Sequence, residues 1–244
     1  MITLHGLPEK VVFCSQCLMS NQRPSSSPEF VKNNTVIATA GFGTDGVCDA
    51  CTHAKRKMNI DWSERMRQLE ILCDRYRKTD GSHDVIVPGS GGKDSIFVAH
   101  FLKDRFGMNP LTVTWAPHEY TDIGMRNMRN WLANGFTNIS VCPNRDVHSK
   151  LTQSAFLNLV NPFQPFIIGQ RNIAPKIALQ HNIKFIMYGE NQAEYGNDPN
   201  ENYIPVMDQK FFSSENSKDI ILGGKKIKDI ISEGKYTLND FKPY

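Results

Sequence analysis

The chain has 244 residues, 40% of them hydrophobic, and a formal net charge of +3, which suits one α/β domain with a small appendage. A charge this small does not by itself indicate nucleic acid or an anionic membrane as a partner. No apolar run is as long as a membrane span and the N-terminus lacks a signal-peptide core, so we expect a cytoplasmic protein whose six cysteines stay reduced.

Four of those cysteines form two Cys-x-x-Cys pairs, Cys14 with Cys17 and Cys48 with Cys51. This spacing lets both thiolates of a pair reach one tetrahedral ion. We therefore predict a zinc-ribbon-like segment over residues 1–60, although the gap between the pairs is longer than the commonest spacing. All four ligand positions are filled by protein, so the Zn²⁺ would be structural. A redox dithiol, or two unrelated pairs, is the alternative.

A linking helix is predicted within residues 61–82. Asp61 with Glu64 is typical of a capping box at a helix start. Apolar residues follow at steps of three and four, which predicts one apolar stripe in which Cys73 is a core residue. The stripe consists of Trp62, Met66, Leu69, Cys73 and Tyr76.

Residues 83–244 alternate between apolar strands and amphipathic helices. The strands are predicted at residues 85–87, 111–115, 139–142 and 184–188. Alternation with short loops predicts an α/β fold with a doubly wound parallel sheet. A helix is predicted to end near His181, with Pro175 close to its start because proline suits the first turn.

The turn after the first predicted strand is the strongest motif. It reads Ser90-Gly91-Gly92-Lys93-Asp94-Ser95. Glycines let several N–H groups point into one concavity, and the following helix adds its own free N–H groups and the positive end of its dipole. This predicts an anion cradle, to which Lys93 adds a positive charge. Asp94 rules out both the Walker loop and the dinucleotide fingerprint. A glycine turn that only caps a helix is the alternative.

The motif Ser-Gly-Gly-x-Asp-Ser after a hydrophobic strand resembles the PP-loop ATPases, whose fold is adenine nucleotide alpha hydrolase-like. In that family the loop holds the pyrophosphate part of ATP while an oxygen of the substrate is adenylated. ATP therefore becomes the expected nucleotide. Mg²⁺ is implied because the triphosphate charge must be neutralised as it separates, and Asp94 is the nearest hard oxygen ligand. Helix capping is the rival role for Asp94.

Further polar residues are predicted at the carboxyl edge of the sheet, where open α/β folds bind ligands. Glu190 follows the fourth predicted strand and could bind Mg²⁺ or take a proton from ammonia, so we group it with Lys93 and Asp94 as catalytic. The alternative for Glu190 is a solvated loop charge. Arg171 could bind a phosphate of the substrate, but we expect it to be a surface charge. The candidates for binding substrate are Asn127, Asn130, Asn191 and Glu194.

Several segments together resemble the N-acetyl sugar amidotransferases, a PP-loop branch of surface-polysaccharide pathways, including lipopolysaccharide O-antigen and sialic-acid-like sugars. They are the cysteine knuckles, the cradle, and residues 124–130 (GMRNMRN), 188–191 (YGEN) and 194–196 (EYG). The resemblance implies that ATP adenylates the amide oxygen of an N-acetylated activated sugar, that ammonia attacks, and that AMP leaves an acetamidino group. Asn197 stands where the family tends to have a second glycine. Family members are usually longer, so we expect a domain truncated at its C-terminus.

The sequence contains no cysteine in a context typical of a glutaminase nucleophile, and this bears on the source of the ammonia. Residue 2 is Ile, and no cysteine lies in a nucleophile-elbow context, so we expect only weak glutamine-dependent activity from this chain alone. Nitrogen would come from free ammonia or a partner. The resemblance implies a separate glutaminase, similar to the glutaminase and cyclase pair of imidazole-glycerol-phosphate synthase.

Two other functions stay open. Several tRNA-thiolating enzymes join cysteine knuckles to a PP-loop, but they pass sulfur through cysteines near the site, and here only Cys142 is placed at the right edge. No basic patch interleaved with aromatic residues indicates RNA. The second alternative is a non-catalytic nucleotide-binding subunit that docks a partner through its ribbon.

Overall fold

The computed structural model describes residues 7–23, 39–190, 206 and 220–244. The chain divides into two compact units. One contains residues 7–23 and 39–66, and the other contains residues 67–190 and 220–244. The division falls inside the second helix.

The first unit consists of two turns followed by helices. An antiparallel bridge joins Phe13 to Ser20 around the first cysteine pair, and another joins Phe42 to Cys48, the first residue of the second pair. Helix α1, Asp49–Lys57, begins directly after Cys48, so the second pair leads into a helix. Helix α2, Trp62–Tyr76, starts at the predicted place, and the Asp61 carboxylate accepts a hydrogen bond from the Glu64 amide at 3.0 Å.

Three parallel strands form the sheet of the second unit. They are β1, Val85–Pro88, β2, Pro110–Trp115, and β3, Thr137–Val141, in the order β1-β2-β3. The fourth predicted strand forms only a parallel bridge, between Ile186 and Ile86 on the outer side of β1. Its backbone bonds are the Ile86 amide to Phe185 O and the Met187 amide to Ile86 O, both 2.9 Å. The chain thus adds β2 and β3 in order on one side of β1, and the segment around Ile186 then pairs with the other side of β1.

Helices cover both faces of this sheet, which confirms the predicted α/β fold with a doubly wound parallel sheet. They are α3, Lys93–Phe106, α4, Asp122–Ala133, α5, Arg145–Leu159, and α6, Gln164–Gln180. On one face Val85 and Val87 pack with Leu102 of α3 and Trp131 of α4. On the other face Ile86 packs with side chains of α6. Alternate strand residues point to opposite faces, so both cores are built from one apolar run.

One prediction about helices was wrong. Helix α6 begins at Gln164, with Pro165 in its first turn, so Pro175 lies inside the helix and not near its start. In the apolar stripe of α2, Cys73 is fully buried as predicted, while the Trp62 side chain is 60% exposed. Periodicity shows which residues share a face, but packing decides how much of that face is covered.

Residues 220–244 form two short strands and two short helices, and the strands were not predicted from the sequence. Strands β4, Ile221–Leu222, and β5, Lys225–Lys226, make an antiparallel hairpin, followed by α7, Ile227–Ser232, and α8, Leu238–Phe241. Leu222 and Ile230 are buried against Leu151 of α5. Among the residues that the structure describes, no helix is long and apolar enough to cross a membrane.

Candidate functional site

The four predicted zinc ligands come together in the first unit. Their sulfur atoms all lie within 4.8 Å of one another. The Sγ atoms of Cys14 and Cys51 are 4.0 Å apart, and those of Cys17 and Cys48 are 3.6 Å apart. A tetrahedral zinc with Zn–S bonds of about 2.3 Å requires sulfur separations of about 3.8 Å. The cluster therefore has the size and ligand set that Zn²⁺ requires.

Backbone amides favour the thiolate form of Cys14, whereas the pKa values of Cys48 and Cys51 are raised. The Cys48 amide donates to the Sγ of Cys14 at 3.3 Å, and the Gln16 amide donates to the same atom at 3.4 Å. The hydrogen bond from Cys48 is the main reason that the pKa of Cys14 is lowered to about 6. Burial raises the pKa of Cys48. A divalent cation would favour the thiolate form of all four side chains.

The glycine-rich loop lies between β1 and α3, as predicted. Helix α3 begins at Lys93 with Gly92 as its N-cap, and its first helical hydrogen bond runs from the Ile96 amide to Gly92 O at 3.2 Å. The amides before Ile96 have no acceptor within their own helix and lie at the positive end of its dipole. This end of α3 therefore has the donors and the electrostatics of an anion site.

Gly91 fits this loop closely against helix α4. Its φ angle is +90°, a conformation that favours glycine, and a Cβ atom at this position would lie 2.3 Å from the carbonyl oxygen of Asn127. The sequence-predicted residue Asn127 is thus held beside the loop, with its side chain half-buried. Asn130 lies one turn further along α4 and is exposed, and its carbonyl accepts from the Asn134 side chain at 2.6 Å.

Gly189 brings the end of the fourth parallel segment to the same loop. A Cβ atom on Gly189 would lie 2.7 Å from the amide nitrogen of Ser95, so only glycine permits this approach. The next residue, Glu190, is exposed. Glu190, the predicted catalytic acid, therefore follows directly after a residue whose backbone lies against the loop. Asn191 and Glu194, the other two candidates from this region, lie outside the described residues.

The polar side chains of the loop have defined partners. The Lys93 ammonium lies 2.7 and 2.8 Å from the two carboxylate oxygens of Asp94, with the two side chains 87% and 54% exposed. Ser95 is buried and its hydroxyl donates to Gly92 O at 3.1 Å. Ser90 is exposed. Lys93 and Asp94 are thus on the open side of the loop, while Ser95 holds the turn together.

Arg171 is not the surface charge that we expected. It is half-buried on α6, and burial lowers the pKa of its guanidinium. Tyr188, which precedes Gly189, interacts with it electrostatically, and burial raises the pKa of the tyrosine. A half-buried cation therefore lies close enough to Tyr188, two residues before Glu190, to interact with it electrostatically. The sequence offered no signal for this, because burial of α6 depends on the other elements.

A histidine cluster at the carboxyl end of β2 was also not predicted. His148 is fully buried, and its Nδ1 lies 2.6 Å from the hydroxyl of Tyr244. The ring of His118 lies 4.1 Å from that of His148 between centroids. Burial, and then the neighbouring His118, lower the pKa of His148 to about 4. The folded chain thus holds His148 neutral at physiological pH.

Comparisons with known proteins give a likeness to solved structures alone. No protein-family model matches the chain, and no curated protein matches it. Among solved structures it is similar to the NMN synthetase from Francisella tularensis, with 12% sequence identity and a TM-score of 0.35. The likeness covers 75% of this chain and 91% of that chain. A likeness of this size carries no conclusion about activity, so function has to be inferred from the chain's own residues.

Proposed function

We propose that this chain is an ATP-dependent, AMP-forming amidotransferase that acts on an N-acetylated activated sugar. It would adenylate the amide oxygen and replace it with ammonia, leaving an acetamidino group and releasing AMP and pyrophosphate. The proposal is supported by the shape of the glycine-rich loop, and its sugar specificity rests on the family resemblance of the sequence.

One observation carries the proposal. Gly91 against Asn127, and Gly189 against Ser95, gather three backbone segments around the N-terminus of α3. The strand path reverses beside β1, and ligands of open α/β sheets bind in the crevice at such a reversal. Loop amides and the helix dipole favour an anion there, and they suit the pyrophosphate part of ATP.

Lys93 and Asp94 would exchange partners when the nucleotide binds. The pair is exposed, and an exposed ion pair contributes little stability, about 0–1 kcal/mol. Lys93 can therefore turn to phosphate oxygens while Asp94 becomes a ligand for Mg²⁺. The metal would supply charge neutralisation as the pyrophosphate separates. Zn²⁺ at the four cysteines would be architectural, because no ligand position is left open.

The proposed reaction has two displacements. The amide oxygen attacks the α-phosphorus of ATP and the bond to pyrophosphate breaks. Ammonia then adds to the amide carbon, the bond from carbon to the adenylated oxygen breaks, and AMP leaves. Glu190 would accept the proton that the nitrogen loses, and the approach of the preceding Gly189 to the loop supports this role. A separate glutaminase is the proposed source of the ammonia.

The tRNA-thiolation alternative has less support. Cys142 is exposed, whereas Cys73 is buried in the core and the other four cysteines form the zinc cluster. A sulfur relay that needs two cysteines would therefore have no second thiol in place. Under our proposal Cys142→Ser leaves amidation intact, and under thiolation it abolishes activity. The second alternative, a nucleotide-binding subunit without catalysis, predicts nucleotide binding with no AMP release.

The test is product formation by the purified chain. We expect AMP and pyrophosphate to appear only when ATP, Mg²⁺, ammonium and an N-acetylated nucleotide sugar are all present. Mass spectrometry of the sugar should show the exchange of oxygen for NH. Lys93→Ala should lower the rate at least about tenfold, since it removes a charged contact to phosphate. Lys103→Ala, in the last turn of the same helix, should stay within about twofold.

Two results would contradict the proposal. One is the absence of AMP release with every N-acetylated nucleotide sugar tried. The other is an equal loss of rate in the two lysine variants, because the lysine at the loop would then have no special role.

A further inference from the structure

Strand β2 carries two buried threonines whose environments differ. Leu111, Val113 and Trp115 face the core that contains α6. Because side chains alternate along a strand, Thr112 and Thr114 point to the opposite face, towards Trp131 of α4. Both threonines are buried, at 0% and 1% exposure. A buried hydroxyl needs hydrogen-bond partners, and those partners show what each threonine holds in place.

The Thr114 hydroxyl uses its full hydrogen-bonding capacity. It donates to the carbonyl oxygen of Gly89 at 2.7 Å. It accepts from Trp131 Nε1 at 3.2 Å and from Asn138 Nδ2 at 3.1 Å. An indole N–H can only donate, and both amide protons of Asn138 are directed at threonine hydroxyls. With both lone pairs taken, the hydroxyl proton has the Gly89 carbonyl as its acceptor.

This contact sets the direction of the first peptide in the loop. In a trans peptide the C=O and the next N–H point in opposite directions. Because Thr114 holds the Gly89 carbonyl towards the sheet, the Ser90 N–H points away from it, to the open side of the loop. The Gly89 amide is itself bonded to Val113 O at 2.9 Å. The Gly89 backbone is therefore held by β2 through both of its polar groups.

We propose that Thr114 is a positioning residue of the anion-binding loop. Its hydroxyl orients the Gly89–Ser90 peptide so that the Ser90 amide donates to the bound anion. The proposal rests on the proposed function, since the anion is taken to be the pyrophosphate part of ATP. Thr114 touches neither nucleotide nor substrate and acts through the backbone of Gly89.

Strand β2 provides a matched control. Thr112 is equally buried, donates to Thr137 O at 2.9 Å and accepts from the same Asn138 side chain at 2.9 Å. Its partners lie on β3 and not in the loop. Thr112→Val and Thr114→Val therefore remove the same hydroxyl from the same strand, but only the second frees the loop carbonyl.

The experiment compares pyrophosphate and Mg²⁺-ATP binding by calorimetry. We expect Thr114→Val to weaken both about tenfold, as the loss of one well-placed hydrogen bond would. Thr112→Val should stay within about twofold of the native chain, and Thr114→Ser, which keeps the hydroxyl, should restore most of the affinity. Thermal unfolding of each variant shows whether the two valine variants are equally stable. Equal weakening in both would overturn the positioning role.

A second measurement uses the native chain, so it does not depend on a variant folding. Pyrophosphate should shift the Ser90 amide proton resonance downfield, because that amide gains an anionic acceptor. If pyrophosphate binds and the Ser90 resonance does not move, the positioning role is wrong while the proposed function stands. If the native chain binds neither pyrophosphate nor Mg²⁺-ATP, the proposed function is wrong and this inference with it.

Discussion

At the scale of single residues, the glycine-rich loop depends on glycines at positions that leave no room for a side chain. Gly91 combines a φ of +90° with a site where a Cβ would lie 2.3 Å from the Asn127 carbonyl oxygen. That oxygen belongs to helix backbone, which cannot move aside as a flexible side chain can. An alanine at Gly91 must therefore displace the loop or the helix.

Gly81 provides a control that separates the cost of the left-handed backbone conformation from the cost of the steric clash. Its φ is +80°, but no atom lies within 4 Å of the position of a Cβ. Gly81→Ala should cost about 1–2 kcal/mol in free energy of unfolding, from the left-handed conformation alone. Gly91→Ala should cost more and should also abolish nucleotide binding. Chemical denaturation and ATP titration of both variants check this. Native affinity in Gly91→Ala would show that the loop does not contact the nucleotide.

At the scale of elements, the first unit is held by its cysteine cluster. Its described core is small, with Cys14, Val47 and Cys48 as the buried apolar residues. So small a core needs an added staple, and four converging thiolates indicate a metal ion. The two bridged turns and the start of α1 supply the ligands, so the ion would connect these three elements.

We expect the purified chain to contain one zinc ion, measured by elemental analysis. Cys14→Ser should lower the zinc content severely, because it removes one of four ligands and an acceptor for two backbone amides. Cys142→Ser is the control, since Cys142 is exposed and outside the cluster. Full zinc content in Cys14→Ser, or an equal loss in the control, would contradict a structural zinc site.

At the scale of the whole molecule, polar contacts join parts of the second unit that are distant in sequence. His148 of α5 contacts the hydroxyl of Tyr244, and the Lys176 ammonium of α6 donates to the carbonyls of Lys242 and Tyr244, both at 2.6 Å. These contacts lie within the second unit. They fix the last described residues against the helices of that unit, next to Trp115 at the end of β2.

His148 makes stability depend on pH. Its folded pKa of about 4 is below the ordinary value of 6.5, so protons bind more readily to the unfolded chain. Stability should therefore fall as pH drops from about 6.5 to 4, by about 3 kcal/mol from this residue alone. His148→Gln should flatten the profile in this range, and His181→Gln, at an exposed position, should not. An NMR titration that places the His148 pKa near 6.5 would disprove the expectation.

The sequence predicted those parts of the molecule that local chemistry determines. Strand β1, the glycine loop, and the two cysteine pairs are each specified within a few neighbouring residues. Pro175 was misplaced because only the packing of α6 shows that a helix begins at Gln164. Thr114 was missed because threonine is an ordinary strand residue, and its role depends on Trp131 and Asn138, which come from other elements.

The close fit of Gly91 and Gly189 has a consequence for binding thermodynamics. Backbone contacts on both sides leave the loop few alternative conformations, so its amides are already ordered before any ligand arrives. A preorganised site loses little conformational entropy on association. Capture of an anion here should therefore proceed with a small ordering penalty, and specificity for the rest of the ligand must come from side chains outside the loop.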